Sequence, residues 1–461
     1  MISRKKERLI WIIVVALAIA ISFTGYFSYK VKADSDLYKN LRIFNQILSY
    51  IKTEYVTKED SEKLINGAID GMLKTLNDPY TRYMRKDAYK EMEVTTKGKF
   101  GGLGIYITIR DKQLTIISPI PDTPAYKAGL KAYDKIVKIG DKSTADMSIN
   151  DAVNLMRGKV GTKVTISIMR KGLKKPVDYT LTRDIIKIKS VVGKKMDEAN
   201  LGYVRIKQFG EDTATDLRDY LKKFETDKVQ GVILDLRGNP GGLLIAADKV
   251  ADLFLDQGLI VYTKGRIKEN DMKFTASPID YCHNLPVVIL VNGGSASASE
   301  IVTGALKDNK RAVVIGEKTF GKGIVQTVKP ITKNSALSFT TAKYYTPSGV
   351  CIHGIGIQPD IEVKVPELSE EEIQTIQKIF KNKYIENFVK THPAYTKKDV
   401  EQLQTDLKDK KLPLNFKILN RLVKLEKNKD KEIIYDLEDD IQLQRAVDVL
   451  KTSKLLKRNK I

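Results

Sequence analysis

Hydrophobic positions along this chain change their spacing repeatedly, and each change marks a different kind of element. The first stretch, Leu9 to about Phe27, is almost continuously apolar and includes Trp11, Ile12, Ile13, Val14, Val15 and Leu17; Arg4, Lys5, Lys6 and Arg8 precede it. About 18–20 apolar residues can span a bilayer, and positive charge ahead of a span stays on the cytoplasmic side. The spacing predicts a retained membrane anchor, so residues 1–35 read as anchor or signal peptide. A cleaved signal peptide competes, because Val31-Lys32-Ala33 fits a small-x-small cleavage site. The run is longer than a usual signal core of roughly 7–15 residues, which favours the anchor. Both readings export the rest of the chain.

From 36 to 95 the period becomes helical. Leu41, Phe44, Ile47, Leu48 and Ile51 form one stripe, and Leu64, Ile65, Ala68, Ile69, Met72 and Leu73 a second, ended by Asn77-Asp78-Pro79-Tyr80. From about Lys97 short β-type runs take over with glycine punctuation: strands at Ile105–Ile109, Leu114–Ile117, Asp134–Ile139 and Val164–Met169, and a helix at Asn150–Met156. Gly101-Gly102-Leu103-Gly104-Ile105 leads into the first of these strands. A glycine loop before a strand, followed by such a helix, resembles the layout of a PDZ domain, here residues 96–185. Successive N–H groups at such a loop can hold a terminal carboxylate, while strand edge and helix make a groove for an extended peptide. Gly102, Leu103, Gly104 and Ile105 are therefore the candidate peptide-binding residues.

Residues 186–365 alternate between strand and helix. Leu201–Ile206 precedes the helix Thr213–Phe224, and Gly231–Leu236 runs into Arg237-Gly238-Asn239-Pro240-Gly241-Gly242 before a helix at Leu243–Phe254. Leu285–Val291 then enters Gly294-Ser295-Ala296-Ser297-Ala298-Ser299-Glu300 and a helix over Ser299–Leu306, with further strands at Ala312–Ile315 and around Gln326–Ile331. Glycine-rich turns at the ends of strands are where α/β enzymes place their sites. Residues 366–461 are Lys/Glu-rich and read as a helical C-terminal region, with Leu443, Ala446, Val447 and Leu450 as its last stripe. Packing, capping and homo-oligomerisation are all compatible with it.

Composition narrows the chemistry. The 461 residues are 42% apolar, enough for two or three domains with real cores. The net charge of +22 comes mostly from scattered lysines with no arginine stripe and interleaved aromatics, which argues against nucleic-acid binding. Three histidines, His283, His353 and His392, and two cysteines, Cys282 and Cys351, show no metal-type spacing, so neither metal nor cofactor is expected. The cysteines read as unpaired thiols, although an exported protein could pair them.

A serine hydroxyl needs a base to become a nucleophile. Histidine is the usual one, and His353 sits in a glycine-rich loop, but the serine-rich turn is followed by a lysine, Lys322, in Glu317-Lys318-Thr319-Phe320-Gly321-Lys322-Gly323-Ile324-Val325-Gln326. Lysine can serve when burial or nearby positive charge brings its pKa down from about 10.4. Lys322, among Phe320, Gly321, Gly323, Ile324 and Val325, has the least polar neighbours of any lysine in this region.

These two segments, with Leu236–Gly242, Tyr344-Tyr345-Thr346-Pro347-Ser348-Gly349, Gly356-Ile357-Gln358-Pro359-Asp360 and Asp78-Pro79-Tyr80-Thr81, resemble the signature of the carboxyl-terminal processing, or tail-specific, proteases. The resemblance covers residues 36–365. It implies an α/β, crotonase-like protease domain with an inserted PDZ domain, between a helical N-terminal module and the helical tail. It also implies Ser297 as nucleophile, Lys322 as general base and Gln326 as the residue orienting the lysine. Ser295 then shapes the turn and Ser299 caps the helix. The N–H of Ala298 and one from the Gly241-Gly242 turn, taken as that of Gly241, are the oxyanion candidates. Arg157, after the PDZ helix, is a candidate for coupling the PDZ domain to the protease domain, or else a surface arginine. The implied substrates are proteins with accessible C-terminal tails. A PDZ scaffold without catalysis is the rival, and the PDZ domain could dock substrate or gate the site. Val350-Cys351-Ile352-His353 departs from the family's usual polar stretch.

Overall fold

The computed structural model describes residues 35–278, 281, 285–429 and 434–458. The apolar run Leu9–Phe27 and Cys282 lie outside these residues. Among the described residues no helix is long and apolar enough to cross a membrane. The chain divides into two units, residues 1–83 and 84–461. The first holds the helices Ser35–Glu54 and Ser61–Lys74, the second capped by the Asp60 carboxylate accepting from the Glu62 N–H at 3.0 Å. Their helical stripes are present, but Leu41, Phe44, Ile47 and Met72 stay exposed, because two helices alone enclose no core.

In the second unit, the glycine-punctuated region forms an antiparallel sheet in the order Ile105–Arg110, Gln113–Pro119, Lys135–Ile139, Lys163–Met169, Val177–Thr182. Ile116, Ile136, Ile166 and Ile168 point to one face, where Ala152 and Met156 of the helix Ile149–Met156 cover them. Ile105–Arg110 is an edge strand of this sheet. The chain enters and leaves this domain through a two-stranded antiparallel ribbon, Lys99–Gly102 against Asp184–Lys187.

A second sheet carries the remaining chemistry. Its six strands lie side by side in chain order: Val191–Met196, Leu201–Ile206, Val232–Asp235, Val287–Val291, Ala312–Gly316 and Ile361–Glu362. The first pair is antiparallel and the others are parallel. The unbroken apolar runs Val232–Leu234 and Val287–Val291 suit strands covered on both faces. Alternation then sorts their side chains. Leu234, Ile289 and Val291 face a core made with the helices Thr213–Thr226, Leu244–Asp252 and Ala298–Asp308. Ile233, Val288 and Leu290 face the opposite way, against Leu443, Ala446, Val447 and Leu450 of the last helix, Ile441–Arg458. That helix therefore supplies one layer of the sheet domain. Leu450→Ala is expected to lower unfolding free energy by about 2–4 kcal/mol, measured as a shift in urea midpoint.

The other C-terminal helices, Glu370–Lys381, Tyr384–Thr391, Lys397–Asp409 and Phe416–Lys427, close a separate core around Ile379, Ile385, Val400, Leu407, Leu419 and Val423. A long hairpin, Ile324–Thr332 and Ser335–Tyr345, projects from the lysine segment. Its second strand was not expected from the sequence.

Candidate active site

Three neighbouring parallel strands, Val232–Asp235, Val287–Val291 and Ala312–Gly316, end on the same edge of the sheet. The segments that follow them are Leu236–Gly242, Asn292–Ser297 and Glu317–Lys322. Parallel pairing alone thus delivers the glycine turn, the serine turn and the lysine loop to one place, outside the carboxyl ends of the strands.

Ser297 sits at the junction of turn and helix with φ 53° and ψ −111°, a conformation a side-chain-bearing residue adopts only under constraint. The Tyr344 phenol neighbours the Ser297 side chain; burial pushes that phenol up to about 12, with the influence of the serine working the other way. Both residues are buried.

The constraint is traceable to Glu300, which is 0% exposed. Its Oε2 accepts from the Ser297 N–H at 2.9 Å and the Lys322 N–H at 2.8 Å, and its Oε1 from the Thr319 hydroxyl at 2.6 Å and the Gly321 N–H at 2.7 Å. All four partners are donors, the set an acceptor-only carboxylate takes. One side chain thereby binds the serine turn to the lysine loop. The Phe320 N–H adds a direct bond to the Ser295 carbonyl at 3.0 Å.

The Lys322 Nζ donates to the Gln326 Oε1 at 3.0 Å, and the Gln326 Nε2 donates to the Ser338 hydroxyl at 3.3 Å. The hairpin register shifts at this point: Val325 faces Ala342 but Gln326 faces Thr340. Such a bulge re-aims side chains, here beside the lysine. Gly323 has no room for a Cβ, which would lie 2.4 Å from the His353 backbone nitrogen.

The glycine turn lies against the serine. A Cβ on Gly241 would fall 2.8 Å from the Ser297 Cβ and 2.9 Å from the Ala298 nitrogen. Asn239, fully buried, straps the two turns: its carbonyl accepts from the Ala296 N–H at 3.0 Å and the Ser299 hydroxyl at 2.9 Å. Its Oδ1 takes the Gly241 N–H at 2.9 Å, so the N–H proposed from the sequence as an oxyanion donor is already engaged. Among the described residues, the Gly242 and Ala298 N–H groups have no protein acceptor. Ser295 does shape its turn, donating to the Leu236 carbonyl at 2.9 Å. Ser299 is not the cap. It lies inside the helix Ala298–Asp308, whose N-cap is Ser297.

The candidate peptide loop belongs to the other sheet. The Leu103 carbonyl accepts from the Ala125 N–H at 3.0 Å and the Gly104 carbonyl from the Ile120 N–H at 2.8 Å, beside the edge strand that begins at Ile105. Gly102 closes the ribbon strand opposite Asp184. Gly104 has φ 77° and its Cβ would strike Thr123 at 2.3 Å, so glycine is required there. Arg157 is no loose surface arginine: its Nη1 holds the Glu91 carboxylate at 2.6 Å, and its guanidinium lies 4.4 Å from the centre of the Phe100 ring. It ties the end of the helix Ile149–Met156 to the helix Lys86–Lys97 and the ribbon.

Among the described residues, the acidic group Asp436, Glu438 and Asp439 has donor atoms close enough for a metal, but the Lys424 ammonium bonds all three at 3.0, 2.9 and 3.2 Å.

Sequence reasoning missed Glu300, Asn239, Tyr344 and Ser338 as parts of this site. Ser297-x-x-Glu300 is a capping-box pattern, which could have found Glu300. Nothing in the sequence marks Ser338.

Peptidase family S41 matches residues 200–363, the PDZ domain family residues 101–181, and the N-terminal domain of the activating protease CtpB residues 25–88. A carboxy-terminal-processing protease of Bartonella bacilliformis is 49% identical over 337 residues, 72% of this chain and 77% of that one. The carboxy-terminal processing protease CtpA of Bacillus subtilis is 38% identical over 338 residues, 73% of this chain and 72% of its own. Among solved structures, the photosystem II D1 C-terminal processing protease is 32% identical, covering 70% of this chain and 86% of its own, with a TM-score of 0.42. On that degree of identity over nearly three quarters of its length, the chain belongs to the carboxyl-terminal processing protease family and is a serine-type peptidase.

Proposed function

We propose that this peptidase is an exported endopeptidase that cuts protein substrates recognised through their C-terminal tails, using Ser297 and Lys322 as its catalytic pair. The observation that carries the reading is the buried Glu300 carboxylate, bonded at once to the N–H groups of Ser297 and Lys322. In acylation, neutral Lys322 accepts the Ser297 hydroxyl proton as Oγ attacks the scissile carbonyl carbon. The oxyanion is met by the Ala298 N–H at the start of its helix and by the glycine turn, where Gly242 holds the unengaged N–H. The C–N bond breaks as Lys322 returns the proton to the leaving amine. Water then attacks the ester by the same route, freeing the acid and Ser297. Gln326, held by Ser338, keeps the ammonium-forming nitrogen in place through its Oε1.

The groove between Ile105–Arg110 and Ile149–Met156 would dock the terminal carboxylate at Gly102–Ile105, with Arg157 coupling that domain to the protease. The ribbon Lys99–Gly102/Asp184–Lys187 supports the limits 96–185 and 186–365 for the PDZ and protease domains, the latter of crotonase-like build. Arg4–Arg8 and the apolar run after them support export and a membrane tether.

Treatment of the full chain with a phosphonylating serine reagent should place the adduct on Ser297. Amidating a substrate's C-terminus should weaken its binding by about tenfold or more, the loss expected when a charge-assisted contact disappears. An adduct on another residue with Ser297 unmodified would sink the nucleophile assignment, and equal cleavage of acid and amide would sink tail recognition.

A further inference from the structure

The C-terminal region does more at the sheet than cover it. Asp440 is the residue before the last helix, and its carboxylate grips Arg237 in a paired bond: Nη1 to Oδ1 at 2.9 Å and Nη2 to Oδ2 at 2.7 Å. Arg237 is the second residue of the glycine turn Leu236–Gly242. Its other side is held by Asp235 at the end of the strand, Nε to Oδ1 at 2.9 Å and Nη2 to Oδ2 at 2.6 Å. Asp235 is 0% exposed and also receives the Tyr203 hydroxyl at 2.7 Å. The Gln442 side chain accepts from Arg237 Nη1 at 3.1 Å and donates to the Val363 carbonyl at 2.7 Å.

A planar guanidinium with five donors suits this site, since two carboxylates can be bridged at fixed angles. Burial works against ionisation of Asp440, yet the hydrogen bonds and charge of Arg237 outweigh it and hold that carboxyl below its ordinary range. The N–H of Leu443 bonds the same Oδ1 at 3.0 Å, so Asp440 is fixed by the helix it starts. The position of the last helix is thus transmitted by two rigid forks to the first residues of the glycine turn.

From there the path to the serine is short. The Leu236 carbonyl takes the Ser295 hydroxyl, the Gly238 N–H donates to Asn292 Oδ1 at 2.9 Å, and Asn239 straps Ala296 and Ser299. We infer that Asp440 is a positioning residue of the active site: through Arg237 it sets the glycine turn, and so the oxyanion-binding N–H of that turn, against Ser297. Asp440 lies outside the stretch 200–363 that matches the peptidase family, so the family match alone does not include it. The inference rests on the proposed roles of Ser297 and the glycine turn.

A positioning role has a signature that simple support of the fold lacks. Misplacement by about 1 Å can cost on the order of a hundredfold in rate. Asp440→Asn keeps the shape and one acceptor but loses the charged fork. In the full-length protein it should lower kcat by roughly 10–100-fold with KM within about twofold. Its affinity for a peptide boronic acid, which forms a tetrahedral adduct on Ser297, should fall in parallel, and its affinity for an uncleavable peptide should not. Asp440→Glu, which restores the charge, should recover part of kcat. Leu450→Ala, on the same helix but away from Arg237, serves as the control: it should lose stability and keep the kcat of its folded fraction. Wild-type kcat in Asp440→Asn, or a kcat loss in Leu450→Ala that matches it at equal melting temperature, would overturn the inference. If Ser297→Ala still cleaves, the nucleophile assignment fails instead; if Ser297→Ala is inactive and Asp440→Asn is not, only the role of Asp440 fails.

Discussion

Replacing either Ser297 or Lys322 by alanine is expected to lower kcat by about 10⁴-fold or more on an unfolded protein with an apolar C-terminus. Without the Ser297 hydroxyl no acyl-enzyme forms; without the Lys322 amine the hydroxyl has no base, since its proton must leave in the same step. The two losses should resemble each other and the double variant should be no worse, as expected for groups acting as one unit. Neither change removes much packing, so melting temperatures should stay near wild type. Ser297→Gly should separate function from strain further: at φ 53° a glycine is at ease, so this variant should be inactive and at least as stable as the parent. Undiminished cleavage by either alanine variant would remove the dyad.

Glu300→Ala should damage stability and activity together. The four donors that converge on its carboxylate lie in an interior where an unmatched donor costs about 1–3 kcal/mol. Partial relaxation and water entry would recover some of this, leaving a loss of roughly 3–5 kcal/mol, the range seen when a buried charged network loses one partner. Glu300→Gln is the sharper variant. An amide offers one oxygen and one NH₂, and either orientation points donors at donors. It should therefore lose stability despite its matching shape, and kcat should fall by about 10²-fold or more as the serine turn and the lysine loop separate. Denaturant unfolding and steady-state kinetics on the same preparations check both. A glutamine variant with parental stability and rate would show that the carboxylate's charge is not needed.

How far the sequence reached depends on the kind of force involved. Strands such as Leu201–Ile206 and Val287–Val291 are visible because their apolar runs are buried on both faces, and burial leaves a mark in composition. The hairpin strand Ser335–Tyr345 is less legible, because Ser338, Thr340, Thr341 and Lys343 interrupt its apolar residues, and what holds it is pairing with Ile324–Thr332. The serine and lysine segments stood out through glycine and hydroxyl spacing. Glu300 shows in the sequence only as a capping-box partner of Ser297; its other partners, Thr319, Gly321 and Lys322, are brought to it by parallel pairing of strands far apart in sequence. The engagement of the Gly241 N–H by Asn239 is likewise a matter of geometry: two residues of one turn exchange a bond that residue type alone does not specify.

The helix Ile441–Arg458 also sets the order in which the two faces of the sheet are covered during synthesis. The strands of the six-stranded sheet that bear the candidate site are complete once residue 316 has been made, but the layer over their second face is made only near residue 458. At roughly 5–20 residues per second, a growing chain passes an interval on the order of ten seconds with Ile233, Val288 and Leu290 uncovered. The second face of the sheet thus gains its cover about 140 residues after the strands that need it.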